Sequence, residues 1–278
     1  MVGFAKMQGA GNDFVVMRRK DAHLPDEKLA RLVCDRRFGV GGDGLLLVDE
    51  SACADIKMTY WNADGSAAAL CGNGLRCFAR YAFDEKLVRG ASFTVETDTQ
   101  AHAVTVNPDH TVTICVGKAE FAAGNVPVLL PGDEVVDYPY CRYRINVLRV
   151  GVPHAVIFVE ELDAIDVEHI GRYFSSAPIF PQQINVDFVE RYTPRFVRIK
   201  TWERGAGHTL SCGTGCCAAV AAGQKRGLLE SRVHVETEGG VMTVWRGDDD
   251  LLYLCGAAEW VCRGTLSSEL LAGVWKRE

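Results

Sequence analysis

Apolar and polar positions alternate along most of this chain at the two-residue period of a half-buried strand. In the first half the pattern runs through FVVM at 14–17, DGLLLVD at 43–49, DIKMTYW at 55–61, SFTVET at 92–97 and HAVTV at 102–106. The second half repeats the style in YRINVLRVG at 143–151, HAVIFVE at 154–160, INVDFVERY at 184–192, FVRIKTWE at 196–203, RVHVETEGG at 232–240 and VMTVWRG at 241–247. Four windows change to the helical period: 26–35, GLRCFARYAFDEKL at 74–87, DVEHIGRYFS at 166–175 and TGCCAAVAAGQKRG at 214–227. The loosest stretch, KAEFAAGNVPVLLPGDE at 118–134, carries the glycines and prolines of a domain boundary.

The two halves repeat in sequence as well as in style. At a spacing of 141 residues, Leu70-Cys71-Gly72-Asn73-Gly74 falls on Ser211-Cys212-Gly213-Thr214-Gly215. At a spacing of 140, Phe93-Thr94-Val95-Glu96-Thr97 falls on Val233-His234-Val235-Glu236-Thr237. A period this long describes a duplicated domain rather than a solenoid. Each half is expected to be a strand-rich α/β unit with one central helix, introduced by Cys-Gly-polar-Gly. The expected division is 1–117, joined by the C-terminal 263–278, and 118–262.

Composition narrows the function classes. The 278 residues are 48% hydrophobic and 24% charged, which fits a globular protein of about two domains. A net charge of −6 and a pI near 5.7 argue against nucleic-acid or anionic-membrane partners, which would call for a basic stripe. No apolar run approaches the roughly 18 residues of a membrane span. Gln8, Asn12 and Asp13 interrupt the apolar pattern of the first 20 residues, so a secretory signal is not expected and the chain reads as cytoplasmic. In that reducing setting eleven cysteines, an odd number, do not suggest a disulfide framework. Cys34, Cys115, Cys141, Cys255 and Cys262 lie within apolar alternation and are expected to pack as small hydrophobes.

Cys71 and Cys212 need a separate account. Zinc would want pairs of cysteines at short spacing with a second pair at a distance, and neither motif has one. A phosphate loop would need a lysine and a hydroxyl that are absent here. A purely structural glycine turn is a sufficient reading for one copy alone, and exposed thiols in a redox or non-enzymatic protein are a different class of alternative. The pairing favours chemistry. A helix N-terminus presents outward amides and roughly half a positive charge, so each motif suits a carboxylate. The same field favours thiolate over thiol. Two such ends facing one substrate would give acid–base thiols on opposite faces of a carbon acid, with amides to stabilise charge on its carboxylate. That combination suits inversion at an α-carbon without a cofactor.

With those motifs in view the chain resembles the diaminopimelate epimerase family from end to end. The likeness runs through KMQGAGNDFVV at 6–16, NADGSAAALCGNGLRCFARY at 62–81, GVPHAVIFV at 151–159, INVDFVE at 184–190 and WERGAGHTLSCGTGCCAA at 202–219. The resemblance implies two pseudo-symmetric α/β (α+β) domains, each a barrel-like, mostly antiparallel sheet around a central helix, with the active site in the cleft between them. It implies interconversion of LL- and meso-diaminopimelate, with no cofactor and no metal, by a homodimer. Carried over by position, Cys71 and Cys212 are the catalytic thiols, Cys212 accepting and Cys71 donating the proton in the LL-to-meso direction. Gly72, Asn73, Gly213 and Thr214 hold the reacting carboxylate through backbone amides, and Asn12 contacts substrate near the reacting centre. Arg204, with Asn62 and Asn185, clamps the distal carboxylate. His154 and Glu203 tune the cysteines, and Glu203 also counts among the substrate-binding residues. One departure bears on substrate: Val152 stands where the family carries an asparagine that holds the distal amino group. A racemase of another amino acid, such as histidine or an acidic one, is therefore the alternative.

Overall fold

The computed structural model describes residues 2–21, 24–68 and 70–272. In chain order it contains β1 (Val2–Gly9), β2 (Asn12–Arg18), α1 (Asp26–Cys34), β3 (Gly44–Asp49), β4 (Ile56–Asn62), β5 (Ala67–Ala68), α2 (Gly72–Asp84), β6 (Ser92–Glu96), β7 (Ala101–Val106) and β8 (Val112–Gly117). There follow β9 (Val135–Tyr140), β10 (Tyr143–Val150), β11 (Val152–Val159), α3 (Arg172–Ser175), β12 (Asn185–Thr193), β13 (Phe196–Glu203) and β14 (Gly207–Thr209). The chain ends with α4 (Gly213–Lys225), β15 (Arg232–Thr237), β16 (Gly240–Arg246), β17 (Leu252–Gly256), β18 (Glu259–Leu266) and α5 (Ser268–Leu271). It divides into two compact units, one reaching Ile114 and resuming at Gly256, the other Cys115–Cys255. Of the stretch 263–278, residues 273–278 lie outside the described residues. No helix among the described residues is long and apolar enough to cross a membrane.

The first unit pairs its strands in the order β18-β1-β2-β3-β4-β6-β7-β8. Two of those pairings, β2–β3 and β4–β6, are parallel, and the rest are antiparallel. The second unit pairs β9-β10-β11-β12-β13-β15-β16-β17, with β11–β12 and β13–β15 parallel and the rest antiparallel. The short strands β5 and β14 add to β4 and β13. The halves therefore match strand for strand, and each is a mixed, mostly antiparallel sheet.

Both faces of each sheet are covered, which is why several strands read as continuous apolar runs rather than clean alternation. In the first unit α2 packs against β1, β2, β3 and β7. On the other face Val15, Met17, Leu45 and Leu47 pack with Leu29, Ala30 and Val33 of α1. In the second unit α4 packs against β10, β11, β12, β13 and β16, and its residues 215–223 are all buried. Opposite it, Val186 and Phe188 join Phe174 of α3 in a separate core. Residue 187 lies between those two inward positions and so points toward α4.

Some expectations change. The window 166–175 is not one α-helix: a π-turn at Val167–Gly171 leads into α3. A β-carbon on Gly171 would lie 2.5 Å from that of Trp202, so the glycine allows the close approach. Cys34 is buried as expected, and Cys115 and Cys255 are half-buried, but Cys141 and Cys262 are exposed. Cys141 occupies the turn between β9 and β10 with φ +53°, and Cys262 lies on the outermost strand of its sheet, where residues 261–263 all face solvent.

Candidate active site

Cys71 and Cys212 occupy the same local position in the two units. Each is the N-cap of a 13-residue helix, with extended backbone at φ −129°, ψ 122° and φ −120°, ψ 111° respectively. Each carbonyl accepts the first helical bond, from Leu75 at 2.8 Å and from Cys216 at 2.9 Å. The first-turn amides, Gly72 and Asn73 in one unit and Gly213 and Thr214 in the other, thus point out along the axis beside a sulfur. The expected helix starts at 74 and 214 fall one or two residues late, because leading glycines read as a turn.

The glycines of the two motifs divide into two kinds. A β-carbon on Gly72 would meet only Ile114 at 3.6 Å, and one on Gly213 only Leu254 at 3.6 Å, both ordinary contacts. Packing does not demand glycine at these positions. On Gly215 a β-carbon would lie 2.4 Å from Asp187 Oδ1, and on Gly74 it would press on Phe14 at 3.3 Å. Gly215→Ala is therefore expected to lower unfolding free energy by about 1–3 kcal/mol. Gly213→Ala should keep stability within about 0.5 kcal/mol while weakening substrate binding. Chemical denaturation and KM measured on both variants check the split; equal stability losses would contradict it.

In the first unit Cys71 is half-buried, and its Sγ donates to Asn12 Oδ1 at 3.3 Å. Asn12 Nδ2 in turn donates to Asp43 Oδ2 at 2.5 Å. Behind this pair, Arg36 bridges Asp43 and Asp13, and Lys6 binds Asp13 and the Gly41 carbonyl. Burial acts to raise the Asp13 carboxyl, but its hydrogen bonds to Arg36 and Lys6 outweigh this and hold it well below the usual range. Asn62, at the end of β4, donates from Nδ2 to Ser66 Oγ at 3.0 Å.

The second unit surrounds its cysteine more fully. Cys212 is 6% exposed, and its Sγ accepts the Gly215 amide at 3.4 Å and lies 3.4 Å from Thr214 Oγ1. Thr214 Oγ1 is 3.1 Å from His154 Nε2, while His154 Nδ1 is 2.7 Å from Asp187 Oδ2. Asp187 Oδ1 also accepts from Thr201 at 2.8 Å, and both His154 and Asp187 are fully buried. Because a carboxylate accepts, Nδ1 carries a proton toward Asp187, and Nε2 lies beside the Thr214 hydroxyl. Burial pushes the Cys212 thiol up, and the nearby carboxylates of Glu203 and Asp187 push further; the Thr214 and Gly215 hydrogen bonds pull back. Burial likewise raises Glu203, against its hydrogen bonds from Thr209 (2.6 Å) and Cys212. Asn185 Oδ1 accepts the Arg204 amide at 2.8 Å, and the exposed Arg204 donates to the Gln182 carbonyl at 2.9 Å.

Within each unit, then, Asn12 meets Cys71, while His154 and Glu203 gather with Thr214 and Cys212. Sequence reasoning missed Asp43, Asp187 and the side-chain role of Thr214. Asp187 left a signal: it is the one acidic residue within the apolar run 184–189. Among the described residues, no group of three or more His, Cys, Asp or Glu could hold a metal ion.

Buried thiols elsewhere govern alkaline stability. Burial pushes Cys34 and Cys77 from 9.0 up to about 12. Below pH 9 neither the folded nor the unfolded chain ionises them. Above pH 9 the unfolded chain releases protons that the folded one keeps, so stability is lost progressively between pH 9 and 12. Cys34→Ala should lose stability less steeply than the parent over that window; equal slopes in unfolding free energy would contradict the assignment.

Comparison with known proteins identifies the family. The family model described as diaminopimelate epimerase matches residues 4–122 and 147–261. A diaminopimelate epimerase from Desulfitobacterium hafniense is 40% identical over 96% of this chain and 99% of its own. One from Methanococcus maripaludis is 35% identical over 95% and 99%. Among solved structures, a PhzF-family phenazine biosynthesis protein from Bacillus anthracis superposes with a TM-score of 0.70 at 17% identity, covering 96% of this chain and 99% of that one. A probable proline racemase from Agrobacterium radiobacter gives 0.69 at 14% identity, covering 96% and 93%, and both show the shared fold. The family match and the full-length relatives place the chain in the diaminopimelate epimerase family.

Proposed function

We propose that this protein is an isomerase that interconverts LL- and meso-diaminopimelate by moving one α-proton, with Cys71 and Cys212 as its two acid–base groups. The observation that carries this reading is the repetition of a cysteine N-cap, at matching backbone angles, in two units of one topology. Family membership supplies the substrate.

The reaction needs a base on one face of the α-carbon and an acid on the other. In the LL-to-meso direction Cys212 is the base by its position in the family motif; the Gly215 amide on its sulfur favours thiolate, against burial and the Glu203 and Asp187 carboxylates, which favour thiol. Cys71 is the acid, its proton directed at Asn12 Oδ1 until the substrate arrives. Reversal exchanges the roles. The amides of Gly72, Asn73, Gly213 and Thr214 stabilise charge that builds on the reacting carboxylate. Asn12 contacts substrate near the reacting centre. Arg204, whose guanidinium is a bidentate carboxylate partner, holds the distal carboxylate with Asn62 and Asn185. Glu203 contacts substrate and, with His154, sets the readiness of Cys212. No cofactor is required. We further read the protein as a cytoplasmic homodimer of two-domain chains, with the domains expected at 1–117 with 263–278 and at 118–262; the compact units change over at Ile114 and Gly256, which keeps β18 whole in the first.

Val152 is the point at which the substrate is tested. It opens β11, is 38% exposed and offers no hydrogen bond to an ammonium group. Restoring one charged hydrogen bond is worth about 1.5–3 kcal/mol. Val152→Asn is thus expected to raise kcat/KM on diaminopimelate by roughly ten- to a hundredfold. α-Proton exchange in deuterated water across a panel of amino acids should show diaminopimelate as the preferred substrate of the parent protein. Exchange on histidine or an acidic amino acid, with none on diaminopimelate, would favour the racemase reading.

A further inference from the structure

The Asn12 side chain touches Cys71, and an amide can face a sulfur in either of two ways that are equal in shape and opposite in consequence. With Oδ1 forward it accepts the S–H and keeps the proton on sulfur; with Nδ2 forward it donates and favours thiolate. Something must choose between them, and the choice is visible on the far side of the amide. Asp43 Oδ2 lies 2.5 Å from Asn12 Nδ2, and a carboxylate only accepts, so the nitrogen must face Asp43 and the oxygen must face Cys71. The carboxylate is itself fixed by two donors, and its backbone by a third contact. Arg36 Nη2 donates to its other oxygen at 2.7 Å, the Asp13 amide donates to Oδ2 at 3.1 Å, and the Asp43 amide is tied to the Asp13 carbonyl at 2.8 Å. Arg36 in turn is anchored on both oxygens of Asp13, at 3.0 and 2.7 Å.

We propose that Asp43 is a positioning residue for Cys71: held by Arg36, it locks the Asn12 amide with its oxygen toward the sulfur, so that Cys71 waits as a thiol ready to donate. This rests on the two-thiol reading above and adds to it the device that holds the donor's proton. Asp43 meets the Asn12 amide, and the Asn12 amide meets the sulfur. Its effect passes wholly through Asn12, and that property separates it from a residue that merely supports the loop.

The test is a double-mutant cycle of Asp43→Asn and Asn12→Ala, read in two ways. The first is the rate of Cys71 alkylation by iodoacetamide at one fixed pH, resolved from the other cysteines by peptide mass. The second is the kcat and KM of inversion. An asparagine at 43 can present either end of its amide, so the lock is lost while shape is kept. In the otherwise native protein, Asp43→Asn is expected to speed Cys71 alkylation by about three- to tenfold and lower kcat by a similar factor, as befits one hydrogen bond. KM should move less than about twofold, and Cys212 alkylation should not change. In the Asn12→Ala background, Asp43→Asn should have less than about a twofold further effect on either reading. Should Asp43→Asn fail to fold, Arg36→Gln, at a side chain that is 59% exposed, carries the same cycle. Additive effects in the two backgrounds, or an unchanged alkylation rate in Asp43→Asn, would overturn the proposal. The alkylation reading needs no turnover, so it judges Asp43 even if the two-thiol reading fails. Normal turnover by Cys71→Ala would show that separate failure.

Discussion

Replacing either Cys71 or Cys212 with alanine is expected to lower kcat for inversion by about 10²–10⁴, the range for loss of one positioned acid or base. The two losses should be comparable, because each turnover uses one thiol to take a proton and the other to give one. KM should change far less in either variant, since the proposed reading gives the carboxylate to the amides of Gly72, Asn73, Gly213 and Thr214 and not to sulfur. Alanine retains the extended N-cap backbone of either residue; at half-buried Cys71 it should leave the fold unchanged, while at buried Cys212 it gives up the sulfur that accepts the Gly215 amide and should cost about 1 kcal/mol of stability. A double variant should be scarcely worse than a single one, as groups that act as a unit are not additive. Steady-state inversion assays of the three variants check this. Normal turnover in either single variant would remove that cysteine from the chemistry.

The largest expected effect on stability lies behind Cys212. Asp187 is fully buried and accepts from His154 at 2.7 Å and Thr201 at 2.8 Å. Asp187→Ala strands both donors without solvent and opens a void beside Gly215. The expected loss is about 3–5 kcal/mol of unfolding free energy. Activity should fall as well, because nothing then holds the His154 ring against Thr214, whose hydroxyl lies beside the sulfur. Asp187→Asn keeps the shape and one accepting oxygen, so it should lose less of both. Urea unfolding and kcat on the pair of variants test the argument. A loss below about 1 kcal/mol in Asp187→Ala would mean that water or a shifted side chain satisfies His154.

Which parts of this were readable from the sequence follows from what period and composition encode. Strands covered on both faces, such as β2, β3 and β12, announce themselves as short apolar runs bounded by turns. β18 did not, because Glu259, Val261, Cys262 and Arg263 are exposed and leave no consistent inward face. The thiols were legible only through repetition: one Cys-Gly-x-Gly is a turn, and two at the same place in a duplicated unit are a device. The groups behind them were harder to see. Asp43 precedes β3 by one residue, while Asn12 opens β2; the parallel register that pairs Phe14 with Gly44 is what joins them. Parallel pairing is a long-range fact, and no local period carries it. Asp187 is the intermediate case. An acidic residue at an inward position of a buried strand is legible as an anomaly, but its partner His154, on the neighbouring parallel strand, is not.

The central claim is that two different groups serve the two faces of one carbon. Turnover of LL-diaminopimelate in deuterated water, stopped early, tests it most directly through the label at the α-position of both epimers. Two single-proton thiols predict deuterium in nearly every molecule of meso product while recovered LL substrate carries almost none. Equal labelling of product and recovered substrate from the first time points would mean that one exchanging group serves both faces, and would contradict the account.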